Sequence, residues 1–280
     1  MQIETTSHGG TAADVRLPVY YLPHGGGPCF FMEDQRGPPD MWKSMAAFLE
    51  SVIPSLPRRP KALLIISGHW DEPQVTVNAG EKPALLYDYY GFPEHTYRLR
   101  WDAPGAPDVA ARVKALLDAA GFPTAMETQR GWDHGVFIPM KVALPDADIP
   151  TVQLSLRSDY DAAAHIALGK ALAPLRDEGV LILGSGMSFH NLRAPRDGSA
   201  TPLSQRFDNW LTRAVTDPDP AQRNQLLAHW ENGDHARFAH PREDHLLPLM
   251  VAAGAAGEDP GVRVYNGVVI GWAVSGYRFG

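Results

Sequence analysis

Apolar positions along this chain gather into short runs separated by stretches with helical spacing. Strand-like runs lie near 17–22, 62–67, 74–78, 96–101, 124–129, 149–156, 180–184, 262–270 and 271–278. Helical patterns fill 39–51, 108–120, 160–176, 201–215, 221–230 and 241–253. The clearest is Asp108 to Ala120. Val109, Val113, Leu116, Leu117 and Ala120 fall on one face there, and Gly121 follows as a stop. Strands alternating with helices predict the α/β class: a single three-layer domain whose central sheet is mostly parallel or mixed, with helices on both faces. The last two runs predict a closing β pair that turns at Asn266-Gly267. Residues 1–15 read as a flexible N-terminal tail, and 16–280 as one domain.

Several of the strand-like runs stop in the same way. Leu17 to Leu22 leads into Pro23-His24-Gly25-Gly26-Gly27, and Ala62 to Ile66 into Ser67-Gly68-His69-Trp70. Val180 to Leu183 leads into Gly184-Ser185-Gly186-Met187-Ser188-Phe189-His190. Open α/β sheets bind ligands beyond the carboxyl ends of their strands. Histidines delivered to that edge from distant segments converge, and neutral imidazole is the commonest protein metal ligand. His24, His69 and His190 are therefore candidate metal ligands.

His245 joins them if 241–253 is helical: it then shares an inward face with Leu249 and Ala252, with Asp244 as cap and Pro248 in the first turn. His240, five residues earlier, falls on a different face. His134, in Gly131-Trp132-Asp133-His134-Gly135, reads either as a turn residue or as an acid–base or substrate contact. Tyr87, Tyr89, Tyr90, Phe92, Trp70, Trp132 and Phe189 could wall an aromatic pocket, although core packing accounts for each singly.

Composition removes other chemistries. A formal charge of −7 argues against a nucleic-acid partner. The single cysteine, Cys29, rules out intrachain disulfides and cysteine-rich zinc sites, and reads as a small buried residue. No signal-peptide pattern and no membrane-length apolar run is visible, which makes the cytoplasm the expected location, without a membrane partner. His24-Gly25-Gly26-Gly27 resembles a lipase oxyanion loop, but the nucleophile elbow that would go with it is missing. Dinucleotide, P-loop, H-E-x-x-H and EF-hand patterns are missing too. A homo-oligomer is left open.

His24-Gly25-Gly26-Gly27-Pro28, Ser67-Gly68-His69-Trp70, Asp133-His134-Gly135, His190-Asn191-Leu192 and Asp244-His245-Leu246-Leu247-Pro248-Leu249 occur in this order. Together they resemble the DODA-type branch of the class III extradiol ring-cleavage dioxygenases, in the superfamily of the protocatechuate 4,5-dioxygenase catalytic subunit. The resemblance runs from about Pro18 to near the C-terminus. It implies one ion, Fe(II) or Zn(II), held by His24, His69 and His245. His190 would stand beside it as acid–base residue or fourth ligand, and His134 would contact substrate or assist proton transfer. The implied reaction opens a catechol-type, DOPA-like ring with O2. Two rival readings use the same residues: a zinc-dependent hydrolase, and a non-enzymatic binding protein on the same fold.

Overall fold

The computed structural model describes residues 15–32 and 40–280. The expected tail, apart from its last residue, and with it His8, lies outside the described residues. The elements in chain order are β1 (Val19–Pro23), α1 (Lys43–Val52), β2 (Ala62–Glu72), β3 (Thr76–Asn78), α2 (Pro107–Ala119), β4 (Ala125–Glu127), α3 (His134–Ala143), β5 (Thr151–Arg157), α4 (Ala162–Leu172), β6 (Val180–Gly186), α5 (Thr201–Val215), α6 (Pro220–Ala228), α7 (Ala236–Ala239), α8 (Leu247–Ala256), β7 (Gly261–Val269) and β8 (Trp272–Phe279).

The eight strands form one mixed sheet in the order β4-β3-β5-β2-β6-β1-β8-β7. Its centre, β5-β2-β6-β1, is parallel throughout. β8 and β7 extend it antiparallel on one flank, and β3 meets β5 antiparallel on the other. Because the side-chain period of a strand is two, neighbouring residues of β2 serve opposite faces. Leu63 and Ile65 pack with α1 and α3 residues such as Leu49 and Phe137. Leu64 and Ile66 pack with Ile166, Leu249 and Ala253 of α4 and α8. The result is the expected three-layer α/β domain. α8 is buried along its whole length, and the carbonyls at its end are taken by the buried Arg176 and Arg223.

Three expectations from the sequence fail locally. Residues 96–101 are not a strand: Glu94–Arg98 forms a 3-10 turn, in which the backbone N–H and hydroxyl of Thr96 both bond the Pro93 carbonyl. The closing hairpin turns at Ile270-Gly271, both with positive φ, while Asn266 stays inside β7 with its amide on Asp208 and Ser275. The last helix starts at Leu247, because Asp244 turns its carboxylate onto the N–H of His245 and caps nothing. His245 therefore precedes α8 on a loop.

Candidate metal centre

β1, β2 and β6 run side by side and in the same direction, so their carboxyl ends share one edge of the sheet. His24 follows β1 directly, and its backbone N–H bonds the Gly186 carbonyl at the end of β6. His69 sits on a bulge of β2. Between Ile66 and Asp71 that strand advances five residues while β5 advances two, from Leu154 to Leu156. The surplus pushes His69 out of the ladder, a usual means of aiming a side chain at a site.

His245 comes from the opposite end of the sequence, on a loop laid across these strand ends. Its carbonyl is held by the Tyr21 hydroxyl at 2.7 Å and by the Met187 N–H at 3.1 Å. The approach is close enough that a Cβ on Gly186 would lie 2.1 Å from that carbonyl oxygen. Gly68 is nearly as tight, with a Cβ there 3.2 Å from the His245 Cα.

The His69 Nε2 lies close to that of each of the other two rings. His24 to His69 is 3.2 Å, and His69 to His245 is 3.1 Å. Ser185 fixes the first ring. Its hydroxyl donates to the Gly135 carbonyl, so it accepts from His24 Nδ1 at 3.1 Å, and the lone pair of His24 is left at Nε2. A single proton on His69 Nε2 cannot serve both neighbours, so at least one contact lacks a proton of its own. A cation bound by all three removes the conflict. Ligands about 2.1 Å from a common ion in octahedral or tetrahedral geometry lie about 3.0–3.4 Å apart, which matches the spacing found here. Burial, reinforced by neighbouring histidines, holds His24 and His245 well below the ordinary histidine range. Burial and His134 bring His69 to about 3. All three are thus neutral imidazoles, the form that ligates.

His190 and His134 flank this trio. The His190 ring stacks on His245 with centroids 3.3 Å apart, and its Nδ1 lies 3.8 Å from Asp244. Burial lowers its pKa, against the opposing pull of Asp244. His134 opens α3, 3.9 Å from His69 between ring centroids. The structure thus brings His24, His69, His134, His190 and His245 into one cluster, in agreement with the convergence expected at the sheet edge.

Other site side chains were not legible as functional. Asp88 takes both the backbone N–H and Nδ1 of His134, at 2.9 and 2.8 Å, and lies 3.7 Å from His69 Nδ1. Burial would raise this carboxyl, but the hydrogen bond from His134 and the nearby imidazoles outweigh it and leave it low. Asp133 is fully buried and accepts from Ser67, Gln153 and Arg130, while Ser67 accepts the N–H of His69. Desolvation, with Asp88 adding to it, raises the Asp133 carboxyl. A polar Gln153 inside a strand covered on both faces was the one available signal of this network.

The aromatic candidates mostly pack rather than line a cavity. Trp132, Phe189, Trp70 and Tyr89 are buried, whereas Tyr90 is 86% exposed. Cys29 is buried, and desolvation pushes its thiol up to about 12, which leaves it no thiolate character. Among the described residues, no helix is long and apolar enough to cross a membrane.

Comparison with known proteins identifies the family. Residues 18–277 match the family described as the catalytic LigB subunit of aromatic ring-opening dioxygenase. The chain is 38% identical to a 4,5-DOPA dioxygenase extradiol of Beta vulgaris, over 86% of this chain and 87% of that protein. It is 37% identical to Dioxygenase tasH of Hapsidospora irregularis, over 94% and 85%. A crystal structure of an uncharacterized protein from Escherichia coli K12 superposes with a TM-score of 0.76 at 29% identity, covering 95% of this chain and 100% of that one. The hydrolase and binding-protein readings give way to this match. The chain belongs to the LigB family of aromatic ring-opening dioxygenases, and is a metal-dependent extradiol enzyme of that family.

Proposed function

We propose that the chain opens a catechol-type ring beside its diol with O2, at an ion held by Nε2 of His24, His69 and His245. The observation that carries this reading is the pair of Nε2 contacts, 3.2 and 3.1 Å, among three neutral imidazoles from distant segments. When bound, the ion would supply a meeting point for both diol oxygens and O2, and a path for electrons between them. Fe(II) fits that demand, because zinc has no redox chemistry.

The remaining chemistry falls to side chains. His190 is neutral near pH 7, so it can take a proton from the diol and return it later. Asp244 stands close enough to steady the imidazolium in between. We assign His190 the acid–base role rather than that of a fourth ligand, with its ring stacked on His245. His134 gives its Nδ1–H to Asp88, so Nε2 is the atom left for a substrate hydroxyl. The DOPA enzymes among the relatives make a catechol with an amino-acid side chain the first compound to try. We place the activity in one catalytic domain, residues 16–280, and in the cytoplasm.

Oxygen uptake after anaerobic Fe(II) loading, with a panel of catechols followed at visible wavelengths, tests this reading. The expected result is uptake with a yellow semialdehyde product. Fully iron-loaded protein that takes up no oxygen with any catechol overturns it.

A further inference from the structure

Two histidines outside the cluster are completely buried, and they differ in one respect. His165 uses both ring nitrogens: Nδ1 donates to the Asp161 carbonyl and Nε2 accepts from the Arg157 N–H. His240 uses one. Its Nε2 donates to the Ser188 carbonyl at 3.0 Å, while Nδ1 is buried without a partner. Its ring lies edge-on to Phe207 and Trp230, with centroids 5.5 and 5.8 Å away. An apolar ring would fill that space without burying an unpaired nitrogen. What His240 supplies that an apolar ring could not is the bond to Ser188.

That bond is one of three between the same two segments. His190 N–H donates to the Ala239 carbonyl at 3.0 Å, and the Asn191 amide donates to the Phe238 carbonyl at 2.8 Å. Segment 188–191 carries His190, and the loop that begins at His240 carries His245. Cross-linking the two sets how the His190 ring lies over His245.

We infer that His240 is a positioning residue for His190: through Ser188 it holds the loop that presents the His190 imidazole to the reacting diol. This rests on the reading of His190 as the acid–base residue. A small displacement of such a group costs rate far more than it costs binding.

The test compares His240→Phe, which keeps the ring volume without the donor, with His240→Gln, which restores a donor. Both are assayed as iron-loaded protein well below their melting temperatures. His240→Phe is expected to keep its metal content and catechol KM while kcat falls about tenfold or more. His240→Gln should recover most of that loss. Added to His190→Ala, His240→Phe should cost nothing further, because it acts through the group already removed. A crystal structure of His240→Phe should show the His190 ring displaced from its 3.3 Å stack on His245. If His240→Phe does not fold, Asn191→Ala, which cuts another tie of the same loop, carries the same expectations.

Wild-type kcat in the folded His240→Phe variant overturns the inference, and so does an undiminished further loss in the His190→Ala background. The two readings fail separately. Wild-type turnover by His190→Ala removes the acid–base assignment and this inference with it. An inactive His190→Ala beside a fully active His240→Phe removes this inference alone.

Discussion

The histidines reach the centre by two kinds of support. His24 and His69 leave the parallel heart of the sheet, one just past β1 and the other on the bulge of β2. Their backbones are held by strand ladders and by neighbours on the same edge. His190 and His245 ride on loops outside the sheet, and those loops hold each other through segment 238–240 and through the Tyr21 and Met187 bonds to the His245 carbonyl. The sheet thus supplies one half of the site, held by strand ladders, and the loops supply the other, held by a few discrete bonds. The loop half carries the proposed proton donor and acceptor.

Removing a proposed ligand from the sheet half should have the largest effect. The His69 Nε2 lies between those of the other two proposed ligands, so His69→Ala should reduce bound metal to background in iron-loaded, desalted protein, with activity lost alongside it. Full occupancy would break the ligand set. On the loop side, His190→Ala should keep the metal and lose about 10²–10⁴-fold in kcat, the usual worth of a positioned general acid–base group. If metal and rate fall together in both variants, the two halves are not functionally distinct.

Gly186→Ala tests the seam between the halves. The added Cβ would press on the His245 carbonyl, which is also tied to Tyr21 and Met187 and has no room to withdraw. A loss of roughly 3 kcal/mol in unfolding free energy is expected, the upper end of overpacking, with weakened metal binding besides. Ser185→Ala is milder. It frees His24 to adopt the other tautomer without touching a ligand, and should weaken metal binding about tenfold, the low end for such supporting groups. Equilibrium metal titration separates that from the outright loss expected of His69→Ala.

The same contrast accounts for what could be read from sequence. His24 and His69 were legible because a buried parallel strand is a continuous apolar run, and a glycine-flanked histidine just past it has one edge to reach. His245 does join the histidine cluster, but not from the helix that the sequence suggested. Pro248 does sit in the first turn of α8, but the helix starts beyond His245, and the glycines that admit its loop give no local signal. α3 was missed because Gly135 and Pro139 interrupt its pattern, although Gly135 is what lets the helix lie against Ser67 and His69. Asp88 lies in a tyrosine-rich stretch with no regular period, and only the folded chain brings it to His134.

The smallest expected effect is a dependence of stability on pH, and it bears on both halves. In metal-depleted protein, burial holds His69, on the sheet, and His240, on the loops, to about 3, whereas an unfolded histidine titrates near 6.5. Between those values the unfolded chain binds protons that the folded chain refuses. Stability should therefore be level above about pH 6.5 and fall as the pH drops below it, with the loss complete only near pH 3. Each such histidine contributes about 1.4 kcal/mol per pH unit within that window. Thermal melts of chelator-treated protein between pH 7.5 and pH 5 would show the slope, and His240→Phe should remove one proton's worth of it. His69→Ala should remove a similar amount, unless Asp88 and Asp244, which favour its protonated form, let it gain a proton before the fold gives way. A smaller decrement from His69→Ala than from His240→Phe would show that the histidine cluster can accept positive charge without unfolding. A bound cation demands that same property of it.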